Sequence, residues 1–129
     1  MADIILTQGP DNTIVGAAGD TIYGLQGDDT IRALSGNVIV YGGKGNDSLI
    51  GGGPNSTLSG DKDNDNITSA SQSVLYGGED NDTLKAIFQD TLIGDAGSDS
   101  LIGAQESTLY GGIGNDTLIA SGAKNILFG

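Results

Sequence analysis

One nine-residue segment recurs along this chain, and its spacing leaves few folds open. Gly42-Gly43-Lys44-Gly45-Asn46-Asp47-Ser48-Leu49-Ile50 returns as Gly77-Gly78-Glu79-Asp80-Asn81-Asp82-Thr83-Leu84-Lys85 and again as Gly111-Gly112-Ile113-Gly114-Asn115-Asp116-Thr117-Leu118-Ile119. Weaker copies start at Gly24, Gly60 and Gly94, and a vestigial one runs from Thr7 to Ile14. The six clear starts are 17 or 18 residues apart. The repeat covers nearly the whole chain, with no linker or second domain visible. A fixed period of this size marks an architecture built by stacking one unit on the next.

Each period carries two apolar anchors: Ile14, Ile22, Ile31, Val40, Leu49, Leu58, Ile67, Leu75, Leu84, Leu92, Leu101, Leu109, Leu118 and Leu127. The step across the glycine–aspartate segment is always 9, and the step across the other half is 8 or 9. A Thr, Ser, Ile, Val or Asn precedes each anchor, so the local pattern is out-in-out with period 2. That is a short strand, and no 3.6-residue periodicity lasts long enough for a helix. Residues 1–129 are therefore expected to form one all-β unit. It is a right-handed parallel β-solenoid, or β-roll, of about seven coils with two short strands per coil of 17–18 residues. The core is a thin Leu/Ile/Val column, with Ala17, Ala70 and Ala104 as expected small fillers.

The composition excludes most chemistry. There is no Cys and no His among the 129 residues. Disulfides, thiolate or imidazole metal sites and a Ser–His–Asp triad are thus all out of reach. A formal charge of −12 repels nucleic acid and anionic membranes. No apolar run approaches membrane-spanning length, and the acidic start Met1-Ala2-Asp3 is unlike a secretory signal.

The acids are not spread evenly. Thirteen of the 17 fall in the turns 7–12, 24–29, 42–47, 60–65, 77–82, 94–99 and 111–116, which stack on one edge of the roll. At about 5 Å between coils such a column repels itself strongly, and a cation between turns relieves it. Calcium fits, because it takes six to eight carboxylate and carbonyl oxygens in flexible geometry. Magnesium wants a tighter octahedron, and transition metals want His or Cys. The carboxylate just before the strand, Asp29, Asp47, Asp65, Asp82, Asp99 or Asp116, is the expected ligand in each turn. The glycines let carbonyl oxygens aim inward.

At this point the chain resembles the RTX (repeats-in-toxin) proteins. Gly42–Ile50 and Gly111–Ile119 match the nonapeptide G-G-x-G-x-D-x-U-x at every defined position, and Gly77–Lys85 departs only at Asp80. The resemblance implies a calcium-bound parallel β-roll, unfolded without calcium, and usually type I export. It implies the six aspartates above as ligands. The implied carbonyl donors are Gly24, Gly27, Gly42, Gly43, Gly45, Gly60, Gly77, Gly78, Gly94, Gly97, Gly111, Gly112 and Gly114. Asp61, Asp63, Asp80 and Asp95, in the same turns, complete the expected metal set.

The second edge departs from the family pattern. It lacks G-x-D apart from Gly19-Asp20 and ends its turns with Asp20, Val38, Ser56, Ser73, Asp90, Ser107 and Asn125. Calcium is therefore expected on one edge only: five ions between six good turns, or six if Asp11 or Asn12 contributes. Asp61-Lys62-Asp63-Asn64-Asp65 imitates an EF-hand loop, but Asn66 and Gln72 stand where that loop needs Gly and Glu.

Three functional classes follow. The leading one is a secreted or cell-surface structural protein, exported without an N-terminal signal peptide, that folds on calcium and polymerises with itself. Ile5, nine residues before Ile14, and Leu127 suggest uncapped ends that stack head to tail. The second is a folding and export module of a larger toxin, protease or adhesin. The third is an ice- or glycan-binding solenoid using the column Tyr23, Tyr41, Tyr76, Tyr110 and Phe128, or the column Thr13, Thr30, Ser48, Asn66, Thr83, Ser100 and Thr117. Catalysis is not expected.

Overall fold

A computed structural model describes residues 1–129. Fifteen short strands form two parallel sheets, and no helix is long and apolar enough to cross a membrane. The eight-stranded sheet contains β1 (Asp3–Ile5), β3 (Thr21–Gln26), β5 (Ile39–Lys44), β7 (Thr57–Lys62), β9 (Val74–Glu79), β11 (Thr91–Ala96), β13 (Thr108–Ile113) and β15 (Ile126–Phe128). The seven-stranded sheet contains β2 (Asn12–Val15), β4 (Thr30–Ala33), β6 (Ser48–Ile50), β8 (Asn66–Thr68), β10 (Thr83–Lys85), β12 (Ser100–Gly103) and β14 (Thr117–Ala120). Each strand pairs with the equivalent strand one coil away, so the chain is a parallel β-solenoid of about seven coils.

The anchors Ile22, Ile31, Val40, Leu49, Leu58, Ile67, Leu75, Leu84, Leu92, Leu101 and Leu109 are all buried and stack on one another in register. Removing them from water is what holds the two sheets together.

The first coil corrects the expected register by one residue. Ile4 pairs with Ile22 and Thr13 with Ile31, while Ile5 and Ile14 point outward, 67% and 64% exposed. The outward polar column accordingly begins with Asn12 rather than Thr13. The cause lies in the preceding turn. Asp11 donates its backbone N–H to Asp29 Oδ1 at 2.7 Å, which fixes an 18-residue step at this coil.

The fillers also differ from expectation. Ala17 is exposed, and Ala70 and Ala104 are half-buried. The small inward residues lie two positions after each second anchor: Ala33, Gly51, Ser69, Ala86 and Gly103. This column closes the coil against the opposite sheet, where a Cβ on Gly103 would stand 2.6 Å from Leu109 Cδ1. Little more than a hydrogen atom or a methyl group fits there.

Several turn residues other than glycine take left-handed φ, and Leu25 is the one apolar residue among them. Leu25 takes φ 82°, a conformation that costs a side-chain-bearing residue about 1 kcal/mol or more. Gly43, Gly78 and Gly112 hold the equivalent place in other coils at φ 113°, 121° and 110°. Leu25→Gly is expected to stabilise the folded protein by up to about 1 kcal/mol, less the apolar cover that Leu25 provides. Thermal melting in saturating calcium checks this; an unchanged or lower midpoint contradicts it.

Candidate metal centre

In each coil a six-residue turn joins the eight-stranded sheet to the seven-stranded one. Its first residue is Gly24, Gly42, Gly60, Gly77, Gly94 or Gly111, and its sixth is Asp29, Asp47, Asp65, Asp82, Asp99 or Asp116. Both face inward. Asp29, Asp47, Asp65, Asp82 and Asp99 are 1–3% exposed, so each is a carboxylate taken almost wholly out of water.

One oxygen of each carboxylate has a clear role. Oδ1 of Asp47 accepts the backbone N–H of Asp29 at 2.8 Å, and Asp65 does the same for Asp47 at 2.7 Å. Asp82 serves Asp65 and Asp99 serves Asp82, both at 2.8 Å, and Asp116 serves Asp99 at 3.0 Å. The result is a ladder in which every sixth-position aspartate holds the coil before it.

The other oxygen has no partner. Oδ2 of Asp29, Asp47, Asp65, Asp82 and Asp99 is buried without a hydrogen bond. Each points into the space left by the first glycine of its own turn. A Cβ on Gly24 would stand 2.6 Å from Asp29 Oδ2, and one on Gly42, Gly60, Gly77 or Gly94 would overlap the corresponding oxygen outright. At Gly24, Gly42, Gly77 and Gly94 the next coil's first carbonyl oxygen (Gly42, Gly60, Gly94 or Gly111) reaches the same space. Each carboxylate oxygen thus has another oxygen beside it and no donor of its own, and buried polar atoms in native proteins are rarely left so.

Burial pushes the carboxyls up, against the lowering effect of the backbone N–H each accepts. Neighbouring aspartates raise them further. Asp65 rises to about 8, Asp82 to about 7 and Asp47 to about 6, and Asp29 and Asp99 rise as well. Ionised together, these groups need a cation.

The turn backbone supplies further oxygens. The second and fourth residues adopt left-handed φ whether or not they are glycine, as Asp61 (81°), Asp63 (72°), Asp80 (77°) and Asp95 (73°) show beside Gly27 (111°) and Gly45 (121°). The carbonyls at these places run close to the next coil. Leu25, Asp61 and Asp95 approach Gly43, Gly78 and Gly112, while Gly27, Asp80 and Gly97 approach Gly45, Gly97 and Gly114, with no room for a Cβ. Among the described residues no three acidic side chains converge on one point. An ion here would take one or two carboxylates and draw the rest of its shell from carbonyls, a donor set that suits calcium and excludes soft metals.

Not every expected residue turns its side chain to this edge. Asp61 and Asp95 lie on the outer face of the eight-stranded sheet, following the alternation from Ser59 and Ile93, and Asp61 Oδ1 accepts the Ser59 hydroxyl at 2.5 Å. Only their carbonyls remain at the turn. Asp63 Oδ2 accepts the Gly45 N–H at 3.2 Å and so clamps the neighbouring coil.

A second ladder, at the fifth turn position, was not read from the sequence. Asn64 donates its N–H to Asn46 Oδ1 at 3.1 Å, Asn81 to Asn64 at 3.0 Å and Ser98 to Asn81 at 2.8 Å, with Asp28 accepting from Asn46 at 2.8 Å. These side chains hold the following coil, opposite in direction to the aspartate ladder. The recurrence of Asp or Asn at this position was the available signal.

The opposite edge satisfies itself. Ser56, Ser73, Asp90, Ser107 and Asn125 each accept a backbone N–H from the coil before. Asp90 Oδ2 also accepts from Ser69 Oγ, Ile87 N and Phe88 N at 2.6, 2.8 and 3.1 Å. Asp20 is bonded at both oxygens, by Ala2 N and Ala17 N. No carboxylate oxygen on this edge is orphaned among the described residues.

A parallel β-solenoid with oxygen-lined turns on one edge defines a class of calcium-binding repeat proteins. The family model for the RTX calcium-binding nonapeptide repeat matches residues 7–40, 23–53, 41–73, 68–86, 88–106 and 106–129, and the chain belongs to that family. It is a structural calcium-binding family. A comparison with curated proteins finds no match.

Proposed function

We propose that this chain is a structural calcium-binding β-roll of the cell exterior, folded by ions held along one edge and with no catalytic role. The observation that carries the reading is the contrast between the edges: among the described residues, five buried carboxylate oxygens lack a partner on one, and none does on the other. The ligands are Asp29, Asp47, Asp65, Asp82, Asp99 and Asp116 with the turn carbonyls. Five divalent ions would offset ten of the twelve net negative charges. The bound ion supplies positive charge between coils; the chain supplies preset oxygens and left-handed turns. Extracellular modules bind calcium at about 10⁻⁴ to 10⁻³ M, so such a chain folds outside a cell and stays open inside one.

A finer reading is self-association. Ile5, Ile126, Leu127 and Phe128 are exposed on the end strands of the eight-stranded sheet. Stacking β15 of one copy on β1 of another covers them. Because the sheets have eight and seven strands, that junction leaves one layer open between β14 and the next copy's β2. This modifies the uninterrupted lattice expected from the sequence.

A calcium titration followed by circular dichroism, light scattering and electron microscopy tests both readings. The expected course is coil in excess chelator, β-structure at millimolar calcium, and filaments after folding. A β-rich spectrum in chelator overturns the coupling; monomers alone at millimolar calcium overturn assembly.

A further inference from the structure

The outer face of the eight-stranded sheet carries a column in register: Tyr23, Tyr41, Ser59, Tyr76, Ile93, Tyr110 and Phe128. Tyr23 and Tyr41 stack at 5.4 Å with their planes 13° apart. Ser59, which pairs with Tyr41 on one side and Tyr76 on the other, is too short to continue the stack. The ring face of Tyr41 that looks toward Ser59 is therefore left uncovered.

Beside this column runs a second one, Leu25, Gly43 and Asp61. Gly43 has no side chain, so a hollow of about 370 Å³ opens between Leu25 and Asp61, backed by Tyr23 and Tyr41. The hollow is largely open to solvent, so it suits a small group that keeps one side in water. One wall is apolar, the back is aromatic and the other wall is a carboxylate. Asp61 Oδ1 is held by Ser59, and no cation pairs with Asp61: the ion pairs among the described residues are Met1–Asp20, Lys62–Glu79 and Lys124–Glu106.

We propose that this hollow binds a primary alkylammonium group. The aliphatic stem lies along Leu25 and the tyrosine edges, and the ammonium meets Asp61 Oδ2 and the open face of Tyr41. With Oδ1 engaged by Ser59, the carboxylate offers one free oxygen, which suits a point-like ammonium better than a bidentate guanidinium. A neutral sugar would leave the carboxylate without a counter-charge. A metal ion would find one side-chain oxygen and no converging group.

The test uses the full chain saturated with calcium and follows tyrosine fluorescence and NMR shifts on titration with pentylammonium, with 1-pentanol as the uncharged control. Saturable binding at about 1 to 10 mM is expected for pentylammonium, and none in that range for pentanol. Asp61→Asn weakens it about three- to fivefold, and asparagine tolerates the left-handed φ that Asp61 holds. Tyr41→Leu weakens it about threefold and serves if the first variant fails to fold. Nα-acetyl-lysine amide separates the sources: equal affinity points to a lysine side chain of a partner, and tenfold weaker binding to a free amine. Equal binding of pentanol, no saturation, or indifference to both substitutions overturns the proposal.

Discussion

Asp65→Asn raises the calcium concentration needed for folding by about tenfold and, at pH 8 in excess chelator, makes the calcium-free fold more stable than the parent's. The two effects run in opposite directions because they arise from one charge. Asp65 is at the middle of the ladder, 3% exposed, with Oδ2 unpartnered and its carboxyl pushed up to about 8 by burial. Asparagine keeps an oxygen for the Asp47 N–H at 2.7 Å while removing the charge that calcium answers. Without calcium, that same charge repels Asp47, Asp82 and Asp61 and opposes burial. A control lies on the other edge. Asp90→Asn breaks bonds from Ser69, Ile87 and Phe88, costing about 1–3 kcal/mol, and, shared over about five ions, that loss raises the calcium midpoint for folding by no more than about threefold. Circular dichroism reads the midpoints during calcium titration, and in chelator it reads how much osmolyte is needed to restore β-structure. An Asp65→Asn midpoint equal to the parent's excludes the ladder as the ion site.

The inner columns were legible because a thin coil has only two large inward positions, and period-2 alternation marks them. The series from Ile22 to Leu109 is buried throughout. The alternation misled at the first coil, where Ile14 continues the nine-residue step as an apolar anchor but Thr13 takes the inward place. There a hydrogen-bonded ladder set the register against local hydropathy. Stacking Asp11 on Asp29 leaves Ile5 and Ile14 in water. The sixth-position aspartates were legible from spacing alone. Their internal division was not, since sequence does not show that one oxygen of each serves the backbone and the other serves nothing. Grouping all turn acids together also hid the parity that turns Asp61 and Asp95 outward, although each stands two residues after an outward side chain.

The two edges solve one physical problem by different means. Every coil must satisfy inward-facing backbone N–H groups where the chain reverses. On the Ser/Asn edge hydroxyl and amide oxygens do so, and the two aspartates there have donors for both oxygens. That edge closes without help. On the aspartate edge the same task is done by carboxylates whose second oxygens face glycine-made space. Stability there depends on what arrives from solution. On the function proposed above, one edge is a fixed hinge line and the other waits on calcium. The same proposal has unfolding on calcium loss begin at the acidic edge, where the Asn46, Asn64 and Asn81 side chains are the remaining ties between turns.

Acid substitutes in part for calcium. In chelator, the folded chain gains stability as pH falls from about 8 toward 5, and in millimolar calcium the slope reverses. The carboxyls of Asp47, Asp65 and Asp82 lie at about 6, 8 and 7 in the folded, ion-free state, above the usual carboxylate range that they return to on unfolding. The folded state therefore binds protons more tightly than the unfolded one. That contribution is complete below the unfolded value near 4 and is lost as pH rises through 6 to 8. A proton on Oδ2 removes the buried charge much as an ion would, though it joins no carbonyls to the site and so restores less. With calcium bound the carboxylates must be ionised, protons compete with the ion, and stability rises with pH over the same window. At pH 5 and pH 8, far-UV spectra during an osmolyte titration in calcium-free buffer and thermal melts in calcium-saturated buffer give four values. The expected result is a crossing pair of slopes. Parallel slopes would mean that the buried aspartates stay ionised without a cation, and the orphaned oxygens would then need another partner.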